Sequence, residues 1–157
     1  MNRNSLQQYI DQGIVPAVAL GFKVEECDIS KRVVTLSAPL SLNKNDKGTL
    51  FAGSSASLAT LTCWSLAQSL ANTAAGVSVP VVAKETQLKY LNPVTNCDRV
   101  FATCRIEDPK ILEQFTADYK AKGKAYLTLS SVVYPDNNPQ TIGLSLTGTF
   151  VALPIPK

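Results

Sequence analysis

The sequence predicts an α+β fold in which a curved antiparallel β-sheet wraps around one long central α-helix. Three observations support this prediction. The 36 residues from Gly48 to Ala83 include no charged residue, as expected for a helix that is buried on all sides. A pair of strand-like segments precedes this stretch, and several long segments of alternating apolar residues follow it. The length is typical of one domain, so we expect a single domain over residues 1–157.

The first 48 residues are expected to form a short helix, a hairpin and a loop. Ser5 is followed by a mixture of polar and apolar residues that is typical of a helix capped by that serine. Residues 17–26 and 32–38 are β-branched or alternate in polarity, which indicates two strands joined by a turn. A dense cluster of turn-forming residues at 43–48 then predicts a loop.

The central helix is predicted over Ser54–Ala75, with Ser54 at its start and Gly76 as its stop signal. Ala, Leu and other small or apolar residues occupy every side of it. Polar residues interrupt the segment often enough to leave no continuous apolar run of membrane-spanning length. We therefore expect this helix to be enclosed by protein rather than by a membrane.

The remainder of the chain is predicted to be mostly β-strand. Strands are expected at residues 79–91, 99–106, 124–134 and 141–152, and apolar residues at helical spacing predict a short helix at 110–121. The third of these strands alternates clearly. Its expected inward face consists of Ala125, Leu127, Leu129, Ser131 and Val133.

The composition excludes several classes of function. The sequence contains no histidine, which excludes Ser-His-Asp and Cys-His catalysis and any metal held by histidine. The net charge of +3 is small and dispersed, which disfavours nucleic-acid binding. The four cysteines form no C-x-x-C pair, and the first residues lead into polar sequence, so we expect a reduced, cytoplasmic setting. Cys63 and Cys104 are expected to be buried, inert thiols.

Two motifs resemble a known family. Residues 45–54 read Asn-Asp-Lys-Gly-Thr-Leu-Phe-Ala-Gly-Ser, and residues 88–94 read Leu-Lys-Tyr-Leu-Asn-Pro-Val. Both are similar to motifs of the hot-dog-fold thioesterases, whose loop before the central helix commonly reads Asn, then Gly-Thr, then His-Gly-Gly. The form with Phe in place of His most resembles the YiiD C-terminal thioesterase-like group. The resemblance covers about residues 17–153.

The resemblance implies hydrolysis of an acyl-CoA or acyl-carrier-protein thioester at a site shared between two subunits. It implies no metal and no redox cofactor. Proteins of this family join their sheets edge to edge. The expected oligomeric state is therefore a homodimer, or a tetramer of two such dimers. Long strands such as Arg99–Ile106 would otherwise be exposed edges that are prone to aggregate.

The start of the central helix is the expected substrate site. A thioester carbonyl gains negative charge as it is attacked, so backbone N–H groups at a helix N-terminus would lower the barrier. Small residues let the substrate approach that backbone closely. The expected substrate-binding residues are Gly48, Phe51, Ala52, Gly53, Ser54 and Ser55. The simpler alternative is that Gly53 and Ser54 only begin and cap a helix.

The resemblance also suggests catalytic residues. In the family, the loop Asn positions the water or the carbonyl, and an acidic residue nine positions after the His acts as base or nucleophile. Asn45 matches the first of these residues. Phe51 stands at the His position, Ala52 at the first Gly of the pair, and Thr60 at the acid position. The Thr60 hydroxyl could hold a water, or it could bond back to the helix carbonyls.

Two carboxylates are further candidates. Asp46 lies in the loop, and Glu85 lies on the next strand, where alternation would place it on one face with Ala83 near the mouth of the groove between helix and sheet. The alternative for Glu85 is an ordinary solvated charge. The replaced His and acid positions also favour a second hypothesis, in which the chain binds acyl thioesters without turnover. A dehydratase or hydratase is disfavoured because such relatives use a His with a carboxylate.

Overall fold

The structure is a computed structural model, and it describes residues 1–155. The predicted helices and strands occur in the predicted order at different bounds, and two short helices at residues 15–19 and 40–43 were not predicted. The elements are α1 (Arg3–Gly13), α2 (Val15–Ala19), β1 (Lys23–Asp28), β2 (Val33–Pro39), α3 (Leu40–Asn43), α4 (Ala52–Ala75), β3 (Val81–Tyr90), β4 (Arg99–Arg105), α5 (Pro109–Lys122), β5 (Ala125–Pro135) and β6 (Leu144–Ala152).

The strands form one curved antiparallel sheet in the order β1-β2-β4-β5-β6-β3. Helix α4 lies against the inner face of this sheet and contacts every strand from β2 to β6. The predicted alternation is confirmed in β4 and β5, where every second side chain is buried. The fold class predicted from the sequence is therefore confirmed.

Helix α4 is buried along most of its length although it carries many polar side chains. Two of these side chains donate hydrogen bonds to the backbone that leads into β3. Gln68 Nε2 donates to the carbonyl of Val79 at 2.7 Å, and Trp64 Nε1 donates to the carbonyl of Val81 at 2.8 Å. Because buried polar groups need partners, these bonds fix the position of α4 along its own axis. Within residues 1–155, every helix lacks the length or the apolar character needed to span a bilayer.

The sequence predicts the C-terminal end of α4 correctly but not its start. Gly76 ends the helix as predicted: it adopts a left-handed conformation with φ 72°, and its N–H donates to the carbonyl of Asn72 at 2.9 Å. The predicted start at Ser54 is wrong. The helix begins at Ala52, and the residue before it, Phe51, is an N-cap whose side chain makes no capping hydrogen bond.

Two predictions for the N-terminal region are also wrong. Helix α1 is capped by Asn2 rather than by Ser5, because the Asn2 Oδ1 accepts from the Ser5 N–H at 2.9 Å and the Ser5 hydroxyl accepts from the Asn2 N–H at 3.0 Å. Residues 17–20 form the end of α2 and the turn after it rather than a strand. Pro16 in the first turn of α2 favours this short helix.

The two edges of the sheet differ. The edge strand β1 is covered by α1, because Arg3 Nε donates to the carbonyl of Val24 at 2.9 Å and Gln7 Oε1 accepts from the Val24 N–H at 2.6 Å. The other edge strand, β3, pairs only with β6 among the described residues. The expectation that Arg99–Ile106 is an exposed edge is wrong, because β4 lies between β2 and β5. The open edge is β3.

Strand β3 contains a bulge between Ala83 and Glu85, where Lys84 is the extra residue. Ala83 pairs with Phe150, which is fully buried under α4, whereas Glu85 pairs with Thr149, whose side chain lies on the outer face of the sheet. Ala83 therefore faces α4 and Glu85 faces away from it. The expectation that the two residues share a face is wrong, because strict alternation fails at a bulge.

The buried cysteines behave as the sequence predicts. Cys63 on α4 and Cys104 on β4 are both fully buried. The neighbouring Cys63 and burial both raise the pKa of the Cys104 thiol. Since the thiolate is the reactive form of cysteine, this thiol is inert at neutral pH.

Replacing Gly76 by Ala is expected to lower the free energy of unfolding by about 1 kcal/mol, because a Cβ atom disfavours the left-handed conformation. Urea unfolding at a fixed protein concentration measures the change. Gly13→Ala is the matched control, since Gly13 has a negative φ and a Cβ atom added there would have no other atom within 4 Å. A Gly76→Ala midpoint no lower than that of the control would contradict the capping role.

Candidate active site

The loop before α4 is organised by the side chain of Asn45. Its Oδ1 accepts hydrogen bonds from the backbone N–H groups of Lys47 at 2.9 Å and Thr49 at 3.1 Å. Its Nδ2 donates to the Thr49 hydroxyl at 2.9 Å. Gly48 completes the turn with φ 76°, a conformation that favours glycine. Asn45 therefore holds the loop in the shape that leads the chain into α4.

The start of α4 leaves backbone donors free. The N–H groups of Ala52, Gly53 and Ser54 have no acceptor among residues 1–155, as the first turn of an uncapped helix requires. Ser55 differs from them, because its N–H donates to the carbonyl of Phe51 at 3.0 Å and its hydroxyl donates to the carbonyl of Ala52 at 2.9 Å. Free N–H groups and the helix dipole together favour an oxygen that carries negative charge.

Phe51, at the position of the family's His, covers the first turn of α4. Its N–H donates to the carbonyl of Asn43 at 2.7 Å, and its half-exposed ring lies across Gly53. A Cβ atom on Gly53 would lie 2.5 Å from Cε1 of that ring. A side chain at residue 53 would therefore displace the half-exposed ring of Phe51.

A cavity of about 350 Å³ opens beside the start of α4. One wall is the segment that follows β3, which the sequence singles out as the second family motif. Tyr90 Oη donates to the carbonyl of Ala52 at 3.4 Å, and the N–H of Leu50 donates to the carbonyl of Val94 at 2.8 Å. The residues that line the cavity are Leu50, Ala52, Ser55, Tyr90, Leu91, Asn92, Pro93, Val94 and Gly143.

A second cavity of about 460 Å³ forms a groove between α4 and β3. We call it the α4–β3 groove. Thr60 lies in it, and the Thr60 hydroxyl makes no hydrogen bond within residues 1–155, so the alternative in which it bonds back to a helix carbonyl does not apply. The residues that line the groove are Ile14, Ala56, Ser57, Thr60, Leu61, Trp64, Ala83, Thr86 and Leu88.

The two candidate carboxylates lie away from both cavities. Asp46 is exposed at the surface of the loop, where Lys47 Nζ lies 3.2 Å from its Oδ1. Glu85 lies on the outer face of the sheet. No charged residue lines either cavity, and residues 1–155 contain no cluster of three His, Cys, Asp or Glu side chains that could hold a metal. Asn45 lies in the loop before α4, where its side chain bonds only to Lys47 and Thr49 within residues 1–155. Gly53 and Ser54 lie in the first turn of α4, and Thr60 lies further along the helix. Of these four residues, only Thr60 lines one of the two cavities.

A family model described as "Putative thioesterase (yiiD_Cterm)" matches residues 3–154, which is nearly the whole chain. The chain belongs to this family. The family predicted from the two sequence motifs is confirmed. No curated protein matches the chain significantly.

Solved structures confirm the hot-dog fold of this YiiD_C protein. A protein of unknown function from Chlorobaculum tepidum TLS is 27% identical with a TM-score of 0.83, over 98% of this chain and 94% of that chain. A "putative thioesterase" from Shewanella oneidensis is 24% identical with a TM-score of 0.75, over 97% of both chains. A thioesterase from Haemophilus influenzae is 14% identical with a TM-score of 0.73, over 99% of this chain and 94% of that chain.

Most of the cavity walls are not among the residues predicted from the sequence. Tyr90 and Leu91 belong to the motif at residues 88–94, and that motif is the only sequence feature that pointed to them. No sequence pattern pointed to Gly143. It lines the cavity because it lies in close contact with Val94, a residue far from it in the sequence. The place of Trp64 on the wall of the groove depends on its bond to β3, which no local pattern predicts.

Replacing Asn45 by Ala is expected to lower stability by about 1–2 kcal/mol, because two loop N–H groups lose their acceptor and the Thr49 hydroxyl loses a donor. Asn45→Asp keeps the acceptor and should lose about half as much. Urea unfolding measures both values. Trypsin cleavage after Lys47 measures the opening of the loop and should be fastest in Asn45→Ala. Wild-type stability in Asn45→Ala would show that this side chain does not hold the loop.

Proposed function

We propose that this YiiD_C protein hydrolyses an acyl-CoA or acyl-carrier-protein thioester by attack of water at the start of α4. The observation that carries the proposal is the set of free N–H groups at Ala52, Gly53 and Ser54 in the first turn of α4, of which Ala52 lines the adjacent cavity. Membership of a thioesterase family supports it. The similar proteins from Shewanella oneidensis and Haemophilus influenzae are both named as thioesterases.

The proposed chemistry depends on backbone donors. The thioester carbonyl oxygen accepts hydrogen bonds from the N–H groups of Gly53 and Ser54, and Phe51 and Ala52 border the bound thioester. As water attacks the carbonyl carbon, that oxygen becomes negative, and the two donors stabilise it more strongly than they stabilise the substrate. The carbon–sulfur bond then breaks. The acid product keeps the oxygen of water, and the thiol leaves with one proton of that water.

Asn45 has one further donor available for this reaction. Its amide has two hydrogens, and only one of them is used in the bond to Thr49. The second has no acceptor among residues 1–155. We assign it to the attacking water or to the substrate carbonyl, in addition to the role of Asn45 in shaping the loop around Gly48.

Thr60 is the residue we assign to orient the water, and it must come from a second chain. Gly53 and Thr60 are seven residues apart on α4, which is about 10 Å along the helix axis. One carbonyl cannot contact both. If two β3 strands pair antiparallel about a two-fold axis perpendicular to α4, the two α4 helices run in opposite directions, and Thr60 of each chain then lies toward the start of α4 in the other. The site is complete only in the pair.

The edge of β3 is the surface through which two copies pair. Edge strands attract other strands because their N–H and C=O groups are unpaired. The β1 edge is covered by Arg3 and Gln7, whereas the β3 edge is open. We therefore propose a homodimer joined through β3. A tetramer would consist of two such dimers.

Asp46 and Glu85 remain secondary assignments for orienting water. Asp46 lies next to Asn45 but is paired with Lys47, and Glu85 faces away from α4 in its own chain. Asp46→Asn and Glu85→Gln remove each charge with little change of shape. Loss of hydrolysis in either variant would transfer the role of Thr60 to that carboxylate.

A second candidate function is binding of acyl thioesters without turnover. The specific observation in its favour is that no carboxylate lines either cavity, so water must be oriented by neutral groups alone. Calorimetry would then show acyl-CoA binding by a protein that releases no thiol at high concentration.

Replacing Thr60 by Val is expected to lower kcat for acyl-CoA hydrolysis by at least about tenfold, because the loss of one hydrogen bond to the water raises the barrier by about 1.4 kcal/mol. Thiol release measured with a chromogenic disulfide gives the rate. Thr73→Val is the matched control on the same helix, since the Thr73 hydroxyl bonds to the carbonyl of Ser69 near the other end of α4. Equal rates in the two variants would remove Thr60 from the mechanism.

Replacing Thr86 by Pro is expected to convert the dimer into a monomer. Hydrogen-bonded pairs alternate along an antiparallel ladder, and the Leu91 N–H donates to Gly143 next to β6, so the Thr86 N–H points to the open edge. Proline removes that donor and leaves the pairing with β6 intact. Light scattering measures the mass, and Thr86→Val is the control that keeps the N–H. A dimeric Thr86→Pro variant would contradict pairing through β3.

A further inference from the structure

A cavity of about 590 Å³ lies along one face of α5. Six of its lining residues recur at helical spacing on α5 between Pro109 and Lys120, and the seventh is Arg32, in the turn before β2. Leu112 and Ala117 contribute apolar surface to it. None of its lining residues lines either cavity beside α4. Its volume lies within the usual range for small-molecule sites.

Arg32 stands in this wall with a backbone conformation that arginine rarely adopts. Its φ is 54°, in the left-handed region that favours glycine. Its carbonyl accepts from the Ile106 N–H at 3.0 Å, and its Nε donates to the Ile106 carbonyl at 3.1 Å. The second bond orients the guanidinium and leaves Nη1 and Nη2 without an acceptor among residues 1–155. An arginine at a position where glycine would be unstrained indicates a role for its side chain.

The cavity carries an excess of positive charge. Two cations, Arg32 and Lys120, line it together with one carboxylate, that of Glu113, which gives a net charge of +1. Neither cation forms an ion pair with any residue that the structure describes. Lys122 differs, because it does not line the cavity and its Nζ lies 2.9 Å from Asp118 Oδ1. The charge in the cavity is therefore available to an anion.

Thr116 adds a neutral donor between the two cations. The Thr62 hydroxyl on α4 donates to the carbonyl of Leu58 at 2.7 Å, four residues before it. The Thr116 hydroxyl makes no such bond, and it has no other partner within the described chain. Hydrogen-bond donors, unpaired positive charge and apolar surface in one cavity match a molecule that has an anionic group on an apolar body.

We propose that the cavity between α5 and Arg32 binds a carboxylate that is attached to an apolar chain or ring. The two carboxylate oxygens accept from Nη1 and Nη2 of Arg32, a pairing that the planar guanidinium favours. Thr116 and Lys120 are additional donors, and the apolar body lies against Leu112. The net charge of +1 balances one carboxylate, whereas a phosphate monoester carries more negative charge and would be repelled more strongly by Glu113. The inference does not depend on the proposed thioesterase function.

The test is a titration of the ¹⁵N-labelled protein with octanoate, followed by NMR. Octanoate should give saturable shifts in the amide signals of residues 112–120 and in the Arg32 Nε–H signal. Octanol has the chain without the charge, and acetate has the charge without the chain. Each should bind at least about tenfold more weakly than octanoate. Equal binding of octanol or acetate, or octanoate shifts confined to other parts of the protein, would overturn the proposal.

Arg32→Gly removes the guanidinium and relieves the backbone, because glycine adopts a φ of this kind without strain. This variant should bind octanoate at least about tenfold more weakly, since it lacks the charge-assisted hydrogen bonds. Lys120→Met removes the second charge and should weaken binding about threefold. Lys122→Met is the matched control on the same helix, and it should bind octanoate like the wild type because Lys122 lies outside the cavity.

Glu113→Gln covers the case in which Arg32→Gly fails to fold. It removes the one negative charge that lines the cavity, so it should strengthen octanoate binding about two- to threefold. Damage to the fold would not produce such a gain. Wild-type affinity in a folded Arg32→Gly variant, or in both Lys120→Met and Glu113→Gln, would overturn the proposal. All of these measurements report binding, so they remain decisive whether or not the protein hydrolyses thioesters.

Discussion

The burial of an uncharged helix is the constraint on which the rest of the molecule depends. Helix α4 has no charged side chain to present to water, and the sheet curves to cover it on the side of β2–β6. Its polar side chains would make that burial unfavourable if they were unpaired. Gln68 and Trp64 use theirs to bond to the chain at the start of β3. The same bonds determine where the first turn of α4 lies, and therefore where its free N–H groups point.

In the proposed function, this placement supplies the oxyanion donors without histidine. The donors at Gly53 and Ser54 belong to the backbone, so they depend on the position of the helix and not on which side chains surround it. The ring of Phe51, which the resemblance aligns with a His, lies against Gly53. Phe51 carries no titratable group. In the proposed mechanism, water is therefore oriented by neutral hydroxyl and amide groups.

The fold could be predicted from the sequence more fully than the site could. The uncharged stretch and the alternation in β5 are strong local patterns, and both were correct because they reflect which side is buried. The errors arose where contacts between distant segments decide the outcome. Phe51 replaces Ser54 at the cap of α4, and the bulge in β3 turns Glu85 outward. The wall formed by Tyr90 and Gly143 depends on how the end of β3 meets β6, which spacing along the chain cannot specify.

The covering of one sheet edge by α1 determines how far association can proceed. A molecule with two free edges is divalent in the sense of polymer chemistry, since each copy can join two others and the sheet can grow without limit. The side chains of Arg3 and Gln7 form hydrogen bonds with the backbone of β1. Among residues 1–155, β3 is then the one sheet edge left open, and each molecule is monovalent in this sense. In the proposed dimer, two such molecules use each other's open β3 edge. The N-terminal helix would then act as a chain terminator that makes strand pairing finite.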